Sequence, residues 1–95
     1  MLLIAMLVGC GPTWEDFRVA YAEELCASME QCHGEADPTC IETYTEALAD
    51  RVKPDDYTPA AAADCLDAVA AYGETCTGED AATRTDLCGA AMYGD

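Results

Sequence analysis

Apolar residues recur at steps of three and four along residues 14–32, which is the spacing of one face of an α-helix. The series consists of Trp14, Phe17, Tyr21, Leu25, Met29 and Cys32. Thr13 is a suitable N-cap, with an acid at Asp16 three residues later in the manner of a capping box. Gly34 is a suitable stop. We therefore predict a first helix from about Thr13 to Gln31.

A second helix is predicted to begin at Asp37, a good N-cap, with Pro38 at the first helical position, where its missing N–H costs nothing. Its apolar face comprises Ile41, Tyr44, Leu48 and Val52. Pro54 ends it, because proline cannot continue a helix. Residues 54–57 are then a polar turn.

The third helix uses the same start, with Thr58 as the cap and Pro59 at the first position. Its apolar face comprises Cys65, Val69 and Tyr72, with Leu66 beside it. We predict that Gly73 closes this helix and that a short fourth helix covers residues 84–92, capped by Thr83. No segment alternates with period two, so no strands are expected. The predicted fold is all-α: a small disulfide-stapled bundle of three main helices plus a short C-terminal helix.

The first ten residues are uncharged and apolar. They are too few for a membrane-spanning helix, which needs about 20, but match the apolar region of a signal peptide, about 7–15 residues long. Leu7-Val8-Gly9-Cys10 resembles the lipobox of bacterial lipoprotein signal peptides. The resemblance implies cleavage before Cys10 and a diacylglycerol on its thiol. We predict residues 1–9 to be the signal segment, 10–12 a lipidated tether and 13–95 the helical cysteine-rich domain.

One feature departs from the lipoprotein pattern: no basic stretch precedes the apolar run. This leaves open a start upstream of Met1 or a shortened signal. The alternative to the lipobox is a short apolar segment packed on the domain, with Cys10 as a spare thiol.

The net charge of the chain is −15, from 19 Asp and Glu against 4 Lys and Arg. Nucleic-acid binding depends on basic side chains that neutralise phosphates, so a nucleic-acid partner is not expected. The same charge repels anionic lipid surfaces, so the lipid on Cys10 would have to hold the chain at a membrane. An acidic face would favour a basic protein partner.

Seven cysteines are an odd number, and lipidation of Cys10 would leave six. An even set suits three disulfides in an oxidising compartment. Within an intact first helix, Cys26 and Cys32 lie about 9 Å apart along the axis, too far to pair, so each must reach another element. Of the 15 possible connectivities, we predict Cys26–Cys65, Cys32–Cys40 and Cys76–Cys88.

The chain shows no pattern that predicts catalysis or a metal site. The cysteine spacing does not fit zinc, and His33, the single histidine, is expected to be an exposed turn residue. Ser28 is expected on the polar side of the first helix, where it does not face His33. The acid pairs Asp55-Asp56 and Glu79-Asp80 are expected to be solvated loop charge. We predict no metal, no cofactor and no enzymatic activity.

The tyrosines are the remaining candidates for recognition: Tyr21, Tyr44, Tyr72 and Tyr93. Aromatic residues at helical spacing favour a place in the core, and a recognition surface is the alternative. Trp14 would pack on the domain or touch the membrane interface.

The domain resembles the small cysteine-rich lipoproteins of myxobacteria and their relatives. The matching stretches are Tyr21–Cys26 followed by Cys32, Thr58–Val69, Cys76, and the ending Cys88–Gly94. The resemblance implies export, lipidation and disulfides, but no activity. We therefore expect a non-enzymatic binding module anchored in the bacterial cell envelope, facing the periplasm or the cell surface. The alternative is a structural or accessory envelope component without a specific ligand.

Overall fold

Within the residues that the structure describes, the chain forms four helices and no strand. A computed structural model describes residues 11–34 and 38–93. In chain order the helices are α1 (Trp14–His33), α2 (Cys40–Ala49), α3 (Pro59–Thr75) and α4 (Gly78–Tyr93). This confirms the all-α prediction. The predicted signal segment, Cys10 and the Asp37 cap lie outside the described residues.

Helix α1 has the predicted N-cap and the predicted stop at Gly34, and it ends at His33, two residues beyond Gln31. The Thr13 hydroxyl accepts a hydrogen bond from the backbone N–H of Asp16 at 3.2 Å. Gly34 ends the helix in the left-handed conformation, with φ of 79°. Because glycine has no Cβ, it adopts this conformation at little cost.

Helix α3 begins as predicted but continues past Gly73. The Thr58 hydroxyl accepts from the Ala61 N–H at 3.1 Å, and Pro59 is the first helical residue. The helix runs on to Thr75, and Cys76 is the left-handed residue that ends it, with φ of 55°. The prediction that Gly73 closes this helix was wrong.

Gly73 instead allows close packing between helices. A Cβ added to it would approach the Cβ of Ser28 in α1 to 3.0 Å and its Cα to 3.2 Å. Ser28 is buried in this contact, and its hydroxyl donates to the carbonyl of Leu25 at 2.8 Å. The prediction of Ser28 on a polar face was therefore wrong.

Helix α2 is shorter than predicted at both ends. It starts at Cys40 with Thr39 as its N-cap, two residues after Pro38. Its end is bound by Arg18 of α1, whose guanidinium donates to the carbonyls of Leu48 and Ala49 at 3.2 and 3.0 Å. These are carbonyls that lack partners inside a helix.

Because α2 ends early, its predicted apolar face is only partly correct. Leu48 is buried and Tyr44 packs against the core. Ile41 is exposed, and Val52 lies beyond the helix with 83 % of its surface exposed.

Helix α4 begins earlier than predicted, at Gly78 rather than near Arg84. Its cap is Thr77, whose hydroxyl accepts from the N–H of Asp80 at 3.2 Å. Glu79 and Asp80 therefore form an acidic first turn, which the helix dipole stabilises, rather than loop charge. Thr83 is not a cap, since its hydroxyl donates to the carbonyl of Glu79 at 3.2 Å.

Helix α3 is central, with α1 and α4 packed against it and α2 packed against α1. Helices α1, α3 and α4 contribute the buried core cluster, which comprises Phe17, Leu25, Ala62, Cys65, Val69, Cys88 and Ala91. Its small side chains let the helices approach closely but bury little apolar area each. Such a core depends on covalent links for much of its stability.

Three disulfides cross-link the bundle: Cys26–Cys40, Cys32–Cys76 and Cys65–Cys88. They join α1 to α2, the end of α1 to the end of α3, and α3 to α4. Cys26 and Cys32 do reach different elements, as predicted.

Disulfides are typical of an oxidising extracellular or periplasmic compartment. Within the described residues, no helix is long and apolar enough to cross a membrane.

All three predicted pairings, Cys26–Cys65, Cys32–Cys40 and Cys76–Cys88, were wrong. The turn after α1 carries Cys40 back beside Cys26, with 5.9 Å between their Cα atoms. Cys32 is thus left to meet Cys76, at 5.5 Å. The early start of α4 places Cys88 opposite Cys65 in the core, at 4.5 Å.

Candidate binding groove

Helices α1 and α4 both lie against α3, but no Cα atom of Trp14–His33 is within 8 Å of one in Gly78–Tyr93. A groove separates them. It holds a cavity of about 500 Å³ that adjoins a smaller one of about 200 Å³. Small-molecule sites have volumes of roughly 300–1,000 Å³, so the groove is large enough for one such ligand.

One tyrosine from each helix lines this groove: Tyr21 from α1, Tyr44 from α2, Tyr72 from α3 and Tyr93 from α4. We call it the tyrosine groove. Tyr21, Tyr44 and Tyr72 are half-buried, and Tyr93 is 59 % exposed. Tyr21 and Tyr44 also pack against the buried core cluster, so these two contribute to the core as well as to the groove. The four tyrosines together form a concave surface, which is the geometry of the recognition alternative.

The hydroxyls of the groove tyrosines are free to bind. Within the described residues, none of the four forms a hydrogen bond with another protein group, whereas the Tyr57 hydroxyl donates to the Pro12 carbonyl at 2.7 Å. Among the described residues only the Nε of Arg18 is buried without a partner, so the hydroxyls of Tyr21, Tyr44 and Tyr72 are in contact with solvent. A ligand in the groove would meet several unpaired donors and acceptors.

Two arginines stand over tyrosine rings at this site. The guanidinium carbon of Arg84 is 4.7 Å from the centre of the Tyr72 ring, and that of Arg51 is 4.6 Å from the Tyr93 ring. These are cation–π distances. Arg84 lines the larger cavity and Arg51 the smaller one. Neither arginine was predicted as a site residue, because isolated basic residues carry no motif.

The pKa of the Tyr21 hydroxyl depends on the arginines and on two of the other tyrosines of the groove. Burial raises the pKa of the Tyr21 hydroxyl, because the charged form would lose water. The positive charge of Arg84 opposes this shift, Tyr44 and Tyr93 add to it, and Arg51 opposes it more weakly. The Tyr21 hydroxyl thus interacts electrostatically with both arginines and two of the other tyrosines.

The other walls of the groove are apolar. The larger cavity is lined by Leu25, Met29 and Met92 as well as by the aromatic rings. Methionine side chains are flexible and polarisable, and adapt to ligands of irregular shape. The groove therefore combines an apolar lining with a few polar groups, as small-molecule sites generally do.

The residues considered for nucleophilic catalysis do not come together. Ser28 is buried and bonded to Leu25, while His33 is the exposed last residue of α1, at the end of the groove. His33 is exposed, as predicted, but it is the last residue of the helix and not a turn residue. Asp55 and Asp56 are exposed in their turn. Among the described residues, no three His, Cys, Asp or Glu side chains are grouped to hold a metal.

The other end of α1 is fixed to the loop before α3. Trp14 packs edge-on against Tyr57, with 5.4 Å between the ring centres, so it lies on the domain. Tyr57 also holds Pro12 through its hydroxyl, and its pKa is raised by burial and by the charge of Asp16. Residues 11–12 of the predicted tether are thus held beside the N-terminus of α3.

Comparison with known proteins identified no relative. No protein-family model matches the chain, and neither the curated proteins nor the solved structures contain a match.

Proposed function

We propose that this protein is a non-enzymatic binding module of the bacterial cell envelope and that the tyrosine groove is its binding site. The observation that carries the proposal is the convergence of four tyrosines, one from each helix, on one groove, with hydroxyls that form no hydrogen bond to another described protein group. Tyrosine offers a large rigid apolar surface and a polar tip, and is enriched at binding interfaces.

The proposed location combines two observations. The disulfides indicate an oxidising compartment, and Leu7-Val8-Gly9-Cys10 supplies a means of anchoring an acidic domain that lipid surfaces repel. A lipid on Cys10 would hold the N-terminal end of α1 at the membrane. His33, at one end of the groove, is about 30 Å further along this helix, so that end of the groove would lie away from the bilayer, whereas Tyr21 would lie nearer to it.

Replacing Cys10 with Ser is expected to release the protein from membranes. The hydroxyl cannot replace the thiol as the acyl acceptor in lipoprotein processing. The measurement is radioactive palmitate labelling and membrane fractionation of the full-length gene product, including any upstream start, in a bacterial host. The wild type should be labelled and sediment with membranes, and C10S should do neither. An unlabelled, soluble wild type that retains residues 1–9 would disprove the anchor but leave the groove proposal intact.

Filling the groove is expected to weaken the binding of an apolar ligand. Gly89 lines the larger cavity, and an added Cβ there meets no atom within 4 Å. Gly89→Phe should therefore place a ring in the groove without a clash at its Cβ. The fluorescence of phenylnaphthylamine and anilinonaphthalene sulfonate, two dyes that emit in apolar sites, measures the effect. We expect the affinity of the better-binding dye to fall at least about ten-fold, or about 1.4 kcal/mol.

Gly78→Phe is the matched control for Gly89→Phe. Gly78 is also open to an added Cβ, lies on the same helix and does not line the groove. It should leave dye binding unchanged, and urea unfolding should show both variants folded. If neither dye binds the wild type, or if Gly89→Phe binds like Gly78→Phe, the binding proposal fails and an accessory component without a ligand is favoured.

A further inference from the structure

We infer that the ligand of the tyrosine groove is a small organic anion with an apolar body, and that Arg84 binds its charged group. This inference rests on the proposed function and adds the chemical class of the ligand. Three properties of the groove carry it: its local charge, the position of the Arg84 guanidinium and its apolar lining.

The charge of the groove is opposite to that of the chain. The chain has only 4 Lys and Arg, and two of them, Arg51 and Arg84, line the groove together with the single histidine, His33. None of the 19 Asp and Glu is among the described residues that line either cavity. A cationic ligand would meet no counter-charge there, whereas an anion would meet Arg84 in the larger cavity or Arg51 in the smaller one.

The net charge of −15 opposes anion binding only from a distance. At physiological ionic strength the Debye length is about 8 Å, so the charges of the outer surface are largely screened. A contact between Arg84 and a bound anion inside a half-enclosed groove is screened much less. The local cations therefore decide affinity, while the outer acids repel large polyanions such as nucleic acids.

Arg84 is positioned to bind an anion. Its guanidinium lies over the Tyr72 ring, and stacking on a ring face leaves the N–H groups at the edge free to donate. Arginine binds carboxylates and similar anions through charge-assisted hydrogen bonds, often two in parallel. The unpaired hydroxyl of Tyr21, which interacts electrostatically with Arg84, supplies a further donor nearby.

The rest of the ligand would be apolar. Leu25, Met29 and Met92 line the same cavity as Arg84, and contact with them contributes in proportion to the apolar area removed from water. The volume of about 500 Å³ holds a single small molecule. An aromatic or alkyl carboxylate or sulfonate has this combination of charge and apolar surface.

The two dyes used for the groove also test its charge preference. Both carry a naphthalene and a phenyl ring on one nitrogen, but only anilinonaphthalene sulfonate carries an anion. We expect the wild type to bind the sulfonate at least about ten-fold more tightly than the neutral dye. Arg84→Gln should remove this preference by lowering sulfonate affinity about ten-fold, with the affinity of the neutral dye unchanged. An alkyl carboxylate should displace the sulfonate, and the matching alcohol should not.

Lys53→Gln is the matched control, because Lys53 stands over Tyr57 and does not line the groove. Lys53→Gln should leave the affinities for both dyes unchanged.

If Arg84→Gln is unstable in urea unfolding, Arg84→Lys provides the second measurement. The lysine keeps the positive charge, so part of the preference for the sulfonate should be retained. Equal wild-type affinities for the two dyes, or a preference that survives Arg84→Gln in a folded protein, would overturn the inference. Groove binding would then still stand, whereas failure of both dyes would remove the proposed function itself.

Discussion

The double substitution Cys65→Ala, Cys88→Ala is expected to lower the free energy of unfolding by about 4–5 kcal/mol, the largest loss among the three disulfides. The link closes a separation of 23 residues, which is worth roughly 3 kcal/mol in the chain-entropy model. Both half-cystines are also in the core, 0 % and 4 % exposed. Removing their sulfur atoms leaves a cavity that costs on the order of 1 kcal/mol or more.

The other two disulfides show whether burial or loop length decides the loss. Cys32–Cys76 closes the longest separation, 44 residues, and the entropy model alone would rank it first by about 0.6 kcal/mol. However, Cys76 is exposed, so little packing is lost there. Urea unfolding of the three Ala double variants gives the ranking. A larger loss for the Cys32–Cys76 variant than for the Cys65–Cys88 variant would show that packing around Cys65 is unimportant.

The helix ends that follow from the sequence are those set by local chemistry. Thr13 and Thr58 cap their helices through hydrogen bonds to residues three positions ahead, and Gly34 ends α1 through its own φ. Each of these interactions involves only neighbours in the chain. A sequence pattern therefore contains all of the information that is needed to predict them.

The ends that were predicted incorrectly depend on residues distant in the chain or on competing caps. The end of α2 is bound by Arg18, which is 30 residues away from Leu48. Gly73 lies inside the helix, where the absence of a Cβ leaves the space that Ser28 occupies across the helix interface. For α4, Thr83 was predicted as the cap, whereas the cap is Thr77, whose hydroxyl accepts from the N–H of Asp80.

The disulfide pairing was unpredictable for a related reason. Whether Cys32 meets Cys40 or Cys76 depends on where the turn after α1 places α2 and on the direction of α3. The Cys32–Cys76 bond and the Tyr57–Pro12 hydrogen bond join α1 and α3 at matching ends, so these helices are parallel. Helical periodicity identifies the faces that pack together but does not give the direction of each helix.

The candidate site was predictable in part. The sequence shows the four tyrosines as a set that fits either the core or a recognition surface. Only the separation of α1 from α4 in the structure favours the recognition surface. Arg51 and Arg84 have no signal of their own. Their importance comes from the absence of acids among the described groove residues, which depends on the arrangement of all four helices.

Replacing Phe17 with Ala is expected to lower the free energy of unfolding by about 4 kcal/mol. Phe17 is only 1 % exposed and is the largest fully buried side chain of the described residues. Its ring centre is 5.9 Å from those of Trp14 and Tyr21 and 6.1 Å from that of Tyr57. Truncation of a buried Phe costs about 3–5 kcal/mol, from lost transfer energy and the cavity left behind.

The controls for Phe17→Ala separate the cavity from other effects. Phe17→Leu keeps most of the apolar volume and should cost less than about 1.5 kcal/mol. Val52→Ala, at a residue that is 83 % exposed, should change stability by less than about 0.5 kcal/mol. Urea unfolding measures all three variants, and dye binding below the transition tests the groove. The folded fraction of Phe17→Ala should still bind dye, since Phe17 does not line either cavity.

A loss of less than about 1.5 kcal/mol for Phe17→Ala would contradict more than the position of one ring. Residues four apart on a helix lie on the same face, so Phe17 and Tyr21 turn together. A helix α1 rotated far enough to expose Phe17 would also carry Tyr21 away from Tyr44 and the groove. The stability of this variant therefore tests the orientation of α1, on which the proposed binding site depends.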